Sequence, residues 1–324
     1  MSAGAPRPPR PTRLGRLGDY LGEMYPLAVH VPLAVANVST LSFGLQAAAG
    51  RAPLQLTPKA GVAVSTLVLL GLLLRIYDEQ KDLETDLRLG RAGDPRYKDR
   101  AIVTGRVTPA DLAWLRGATT ALVLLVNLPL GPSPALGAFA FAFALAWASS
   151  RWFFWPRIAG DLRLAFLTHN PLALAFGVYV VTLTTTDLGL LPAPSVVVRL
   201  LLGLWLPISA WEIARKTRCP ADETAYETYS KRLGYRAAGA LPAAFVVGGL
   251  GCTLSLVREL HLGVPVAGVL SLGAAGVVAA CARFLLRPST RSAAALRPMA
   301  ELYTLLATVS LAFALAAHHG VRLR

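Results

Sequence analysis

Nine apolar stretches alternate with short polar segments along the chain, near residues 25–49, 60–77, 112–131, 134–150, 171–190, 195–213, 237–257, 264–285 and 299–318. Within them the apolar residues do not keep to one face; a helix apolar all round belongs in a large core or in a bilayer. Most approach the ~20 residues that a spanning helix needs, and the fourth is the shortest. Prolines and glycines such as Gly131, Pro132 and Pro134 separate the runs. The pattern predicts an all-α, multi-pass transmembrane bundle of nine helices, forming a single domain over residues 21–324. No repeat of solenoid period interrupts it. Residues 1–20 are rich in proline and arginine and read as a disordered basic tail. They lack the early, short apolar core of a cleaved signal peptide.

Composition supports the bilayer as the solvent. The chain is 54% hydrophobic and 15% charged, whereas soluble domains carry about a quarter charged residues. Its net charge of +14 would point to nucleic acid in a soluble protein. Here the distribution of the charge gives another reading. With nine spans, all but six of the 32 lysines and arginines fall on the side of the amino terminus; the six are Arg51, Lys59, Arg199, Arg258, Arg322 and Arg324. Such a bias places the amino terminus and the even-numbered loops in the cytoplasm, with the cell membrane as the expected location and no nucleic acid as partner. The three cysteines, Cys219, Cys252 and Cys281, form no CxxC pair and define neither a disulfide framework nor a zinc site.

Two acidic clusters share that cytoplasmic side. The first, RIYDEQKDLETD (75–86), follows directly on the second apolar run and spaces Asp78, Asp82 and Asp86 four apart. On a helix this makes one acidic stripe. Like charges at i and i+4 repel, and a counter-ion removes that cost. Mg2+ suits carboxylate oxygens and binds typically through one or two of them plus substrate phosphates. The stripe therefore reads as a site for a metal–diphosphate complex; the bland alternative is a solvated loop in which Lys81 and Arg88 pair with the acids. The second cluster, WEIARKTRCPADETAYETYSKRLG (211–234), follows the sixth run. It interleaves Glu212, Asp222, Glu223 and Glu227 with Arg215, Lys216, Arg218 and Lys231. Acids for a cation and bases for phosphate oxygens are the two needs of a metal diphosphate, though a mixed-charge loop has the same composition.

This layout resembles the UbiA superfamily of intramembrane prenyltransferases, whose nine membrane helices carry aspartate-rich motifs after helices two and six. YDEQKDLETD resembles the first motif, of form NDxxDxxxD, with Tyr77 where asparagine is usual. YKDRAIVTGRVTP supplies Arg100 and Gly105, with Ala101 in place of a proline. The second motif is looser than DxxxD, with Cys219 and Pro220 where acids might stand, and Lys231 ahead of Gly234 resembles a basic residue that follows it. The resemblance implies a UbiA-like bundle with an intramembrane cavity open near the cytoplasmic face. It implies Mg2+ held by Asp78, Asp82, Asp86, Glu212, Asp222 and Glu223, with Asp78, Asp82, Asp86 and Asp222 catalytic. The diphosphate would meet Arg75, Lys98, Arg100, Arg215 and Lys231. The implied activity is Mg2+-dependent transfer of a prenyl group from an isoprenoid diphosphate to an acceptor, expected to be a small aromatic. The alternative within the same family is a membrane terpene cyclase, in which the cation is captured by its own chain.

Other residues extend this picture. Trp152, Phe153, Phe154 and Trp155 in RWFFWPR either form an interfacial belt or present π faces to a cation. Trp205 and Trp211 share that ambiguity. His169 and Asn170 in LTHNPLA open the fifth run, as a helix cap or as substrate-orienting groups. Tyr77 and Tyr229 are candidate proton acceptors. A transporter or lipid-binding scaffold is the non-enzymatic alternative; transporters tend to carry ionisable residues deep within spans, whereas the acids here sit at span ends.

Overall fold

The computed structural model describes residues 12–94, 97–224 and 226–324. A short helix comes first, α1 (Arg13–Met24), followed by α2 (Leu27–Ala48), a three-residue strand β1 (Leu54–Leu56) and the long α3 (Pro58–Arg91). Then come α4 (Pro109–Asn127), α5 (Pro134–Ser149), α6 (Arg157–Gly160), α7 (Leu162–His169), α8 (Leu172–Leu188) and α9 (Pro194–Arg215). The chain ends with α10 (Tyr229–Leu233), α11 (Tyr235–Glu259), α12 (Val264–Leu286), α13 (Thr290–His319) and β2 (Val321–Leu323).

Eight helical segments among the described residues are long and apolar enough to cross a bilayer, with α7 and α8 counted as one. The remaining apolar helix, α5, has only 16 residues. Of the nine expected spans, eight thus reach spanning length and the fourth falls short. Large apolar side chains stand exposed around the outside, among them Leu125 (60%), Phe141 (57%), Leu272 (75%) and Phe313 (73%). Water would penalise such a surface; hydrocarbon does not, and helices keep every backbone polar group satisfied there.

Local sequence sets the ends. Thr108 and Asp111 form a capping box at the start of α4, Ser133 caps α5, and Ser289 and Ser292 cap each other's backbone at α13. Proline occupies the first turn of α3, α4, α5, α9 and α12, where its missing N–H costs nothing. Gly189 ends α8 in the left-handed region (φ 61°), which only glycine enters without strain.

Packing divides between two apolar clusters. One gathers α2, α3, α5, α8 and α9 around Leu45, Leu73, Phe139 and Tyr179; the other joins α9, α11, α12 and α13 around Val246, Phe284 and Tyr303. Within the first lies a buried polar knot: Tyr179 donates to Asn127 Oδ1 (2.8 Å) and Asn127 Nδ2 donates to Thr66 Oγ1 (2.8 Å), tying α8, α4 and α3 together. At the face away from the acidic clusters, β1 pairs in parallel with β2, Leu54 opposite Val321, and fastens the first inter-span loop to the end of the chain.

The tail expected over residues 1–20 is not disordered throughout: from Arg13 it is helical, and residues 1–11 lie outside the described residues. Leu17 and Tyr20 are buried in an apolar cluster with Leu72, Ile76 and Leu112. Arg16 grips the buried Asp111 of α4 with two donors, Nε at 2.9 Å and a terminal nitrogen at 2.7 Å. Arginines that looked like a solvated tail are therefore docking groups for α1.

Candidate functional site

At about 1.5 Å per residue, the 34 residues of α3 run to about 51 Å, well beyond a hydrocarbon core of about 30 Å. The surplus carries the first acidic cluster, so it is a helix continued out of the bundle and not a loop. Its stripe drifts: a step of four advances about 40° beyond a full turn. Asp78 and Asp82 stay on the open side and are exposed, while Asp86 has turned far enough to be buried. Glu79 and Asp86, seven apart, share the inward face.

Those two inward acids are occupied. Asp86 pairs with Arg100, and Glu79 pairs with Arg75. Arg100 also lies over the Tyr97 ring at 4.4 Å. Gly90 allows this closure, since a Cβ there would collide with the side chain of Val103. Buried Tyr20 of α1 lies beside Arg75 and Glu79. Of Arg75, Arg100 and Asp86, expected to meet metal or diphosphate, Asp86 and Arg100 thus hold α3 to the segment after it, and Arg75 pairs within α3. Lys98 is half exposed, and its ion-pair partner is Asp99 (4.0 Å).

The open side is different. Asp78 pairs with Lys81 Nζ at 2.9 Å. Lys81 itself is nearly inaccessible; its ammonium lies 4.5 Å from the centre of the Trp152 ring, 3.3 Å from the Ser149 carbonyl and 3.4 Å from His169 Nε2. Trp152, Phe153 and Phe154 all have positive φ (51°, 51° and 58°), a conformation costing about 1–2 kcal/mol per residue. Packing offsets it: Trp152 and Phe153 both meet the His169 ring edge-on, at 5.5 and 5.1 Å. The aromatic cluster therefore divides, with Trp152 and Phe153 turned to the site and Phe154 and Trp155 exposed at the boundary as a belt would be.

The second cluster meets the first through one residue. Lys216, at the end of α9, lies within electrostatic reach of Asp82, alongside Asp78, Asp86 and Lys81. Lys216 also lies 3.4 Å from Glu212, which binds Arg215 as well. The remaining expected acids go elsewhere. Asp222 accepts from the Cys219 thiol at 3.0 Å and from Thr290 at the start of α13; those bonds hold its carboxyl below the usual carboxylate range. Glu223 accepts from Thr228 (2.7 Å) and Ser230 (2.6 Å), which shapes its own loop. Lys231 is held by the Thr224 carbonyl at 3.1 Å and by Glu227 at 3.8 Å. The partners of Glu223 and Lys231 lie within their own loop, and Asp222 ties that loop to the start of α13.

Several smaller expectations change. His169 ends α7 instead of opening a span, and Asn170 links α7 to α8. Asn170 accepts from Trp205 Nε1 (3.1 Å) at its carbonyl and from Ser209 (2.9 Å) at its side chain. Trp211 donates to Glu301 of α13 at 2.8 Å. Tyr77 is buried. Burial, then the nearby Glu212 carboxylate, pushes the Tyr229 phenol well above its ordinary value.

Two members of the site carried a signal that the reading above passed over. Lys81 looked like a counter-charge; its position three residues after Asp78 and next to Asp82 places it beside the stripe. Glu79 is the other. Against the form NDxxDxxxD, the interval from Asp78 to Asp82 is one residue too long. Setting Asp78 in the place of the asparagine gives Glu79, Asp82 and Asp86 the right intervals.

A bundle of apolar helices with one charged face is an integral membrane protein. Its fold is UbiA-like. The chain is similar to the apo structure of a UbiA homolog from Aeropyrum pernix K1, with a TM-score of 0.61 at 18% identity, over 87% of this chain and 97% of that one. It is similar also to a digeranylgeranylglyceryl phosphate synthase in membranes, with a TM-score of 0.60 at 12% identity, over 93% of this chain and 99% of that one. By sequence, no family model and no curated protein matches it.

Proposed function

We propose that the protein is an Mg2+-dependent intramembrane prenyltransferase that moves a prenyl group from an isoprenoid diphosphate to an acceptor, with a small aromatic as the acceptor class. One observation carries the reading: Asp82 and Asp78 stand exposed on α3 within reach of Lys81 and of Lys216 from α9. Acids and bases from two separated segments thus lie within electrostatic reach of one another, in a fold shared with a digeranylgeranylglyceryl phosphate synthase.

The donor chemistry fits Mg2+. Among the described residues no group of three or more acids, histidines or cysteines gathers around a metal position. An ion that arrives with a diphosphate needs only one or two carboxylates, the phosphates and water filling the rest. Asp78 and Asp82 would hold it. When bound, Mg2+ acts as a Lewis acid on the leaving diphosphate. The ammonium groups of Lys81 and Lys216 stabilise the same developing charge from fixed positions. The apolar spans take the prenyl tail and keep water from the allylic cation. Trp152 and Phe153, one side of which already serves Lys81 and His169, offer π surface close by. Asp86 acts at one remove, by fixing through Arg100 the helix that carries Asp78 and Asp82.

The test is diphosphate release and product analysis with geranyl, farnesyl and geranylgeranyl diphosphate, with and without Mg2+ and an aromatic acceptor. Release that requires Mg2+, with product only when acceptor is present, is the expected result. A cyclic hydrocarbon or alcohol formed without acceptor would identify a terpene cyclase working by the same ionisation. Asp82→Asn should lower turnover by about a hundredfold or more, the scale of losing one preorganised electrostatic group. Asp222→Asn, outside the meeting point, should leave turnover within about threefold. Equal turnover in wild type and Asp82→Asn would remove the basis of the proposal.

A further inference from the structure

A crevice of about 440 Å3 opens between α3, α4 and α5. It lies on another side of α3 from the acids: Tyr77 and Gln80, which line it, are about 100° or more round the helix axis from Asp78. Its walls carry Gln80 and Lys81 of α3, Arg116 of α4, Phe143 and Trp147 of α5, and Arg151 just beyond. Three cations and no acid line it. Gln80 Oε1 accepts from Arg116 at 2.9 Å and so orients the guanidinium. Some arginines elsewhere on this face have carboxylate partners, as Arg106 has Glu23, Arg215 has Glu212 and Arg232 has Glu227. Among the described residues, Arg116 and Arg151 pair with no carboxylate.

Depth identifies the source of the missing anion. Arg116 lies two turns inside α4 and Arg151 just past the end of α5, both at the polar end of apolar helices. Trp147 is 48% exposed, and Phe143, one turn before it on α5, is half-buried. The crevice thus has a cationic ceiling and an aromatic floor. A soluble phosphate would use the ceiling alone; a phospholipid uses both. Arginine forks match phosphate oxygens, and basic pockets between spans take lipid head groups.

We propose that this crevice binds the phosphate head group of an anionic membrane phospholipid, of the phosphatidylglycerol class, with its acyl chains along α4 and α5. Lys81, shared between crevice and Asp78, makes this lipid a neighbour of the acidic stripe. The test uses the whole protein in phosphatidylcholine bilayers, titrated with acyl-brominated phosphatidylglycerol or brominated phosphatidylcholine. Quenching of Trp147 is read as the fluorescence that Trp147→Phe lacks. Phosphatidylglycerol should quench at lower mole fraction, and Arg116→Gln with Arg151→Gln should erase the preference, by about fivefold for each arginine. Arg116→Lys with Arg151→Lys should keep most of it, and Arg322→Gln on the opposite face should keep all of it. Equal quenching by the two lipids, or a preference that survives the glutamine pair, would overturn the proposal. Loss of the preference when excess inorganic phosphate is added would reassign the crevice to a soluble anion and overturn the lipid reading.

Discussion

At the scale of single residues, four acids in one helical segment have two fates. Asp78 and Asp82 remain exposed, Asp78 paired with Lys81, and Glu79 and Asp86 are buried against arginines. The division follows from 3.6 residues per turn, since each position's angle about the axis decides whether it meets solvent or protein. It bears on mutagenesis. Removing one partner of a buried ion pair leaves an uncompensated charge and costs about 3–5 kcal/mol. Asp86→Asn should therefore destabilise the protein by about 3 kcal/mol, seen as a lower unfolding temperature in detergent. Asp86→Asn combined with Arg100→Met should recover part of that loss. Asp82→Asn, at an exposed position, should leave stability nearly unchanged while activity falls. If Asp86→Asn unfolds like wild type, Asp86 is not a structural partner of Arg100. The acid spacing was legible in sequence, as was the chemistry of carboxylates beside bases. Which acids stay free was not, because Arg75 and Arg100 lie at different distances along the chain and only the folded loop brings Arg100 back.

At the scale of elements, the apolar runs marked the helices to within a few residues, since a spanning helix must be apolar along its length. The runs were less informative where helices carry polar residues. Helix α3 extends about two dozen ångströms past its apolar stretch, α1 was hidden in a basic segment, and α7 precedes the run that ends in α8. Each of these is stabilised by side-chain contacts far apart in sequence, such as Arg16 with Asp111. The Thr66–Asn127–Tyr179 knot makes a similar long-range tie within the spans. Interhelical hydrogen bonds of this kind contribute about 1–2 kcal/mol at most. Asn127→Leu should lower stability by about that amount, measured by unfolding in detergent or bilayer, and leave turnover unaltered because the knot lies toward the face opposite the acids.

At the scale of the whole molecule, the charge distribution sets an expected orientation. Arg51, Lys59 and Arg199 lie with Leu188, Asp187 and Glu259 at the ends of spans away from the acidic face, and the dense basic face lies opposite. Basic loops stay on the cytoplasmic side. Single cysteines introduced at exposed positions test this, in a background freed of Cys219, Cys252 and Cys281. Glu84→Cys and Glu227→Cys should react with an impermeant maleimide only in inside-out vesicles, and Leu191→Cys only in right-side-out ones. Labelling of Glu84→Cys and Glu227→Cys from opposite sides would separate the two clusters and end the functional proposal.

The chain by itself determined the medium, the number of apolar helices and the face on which charge collects. These depend on transfer free energies that sum locally, residue by residue. It also marked both polar segments that meet over the site. The partners were settled only by tertiary structure: Lys216 comes to Asp82, Asp222 goes to Cys219 and Thr290, and Arg100 closes on Asp86. Electrostatic and hydrogen-bond energies depend on distances in space, and the distance between residues on different elements is written in the packing of the helices, not in their order.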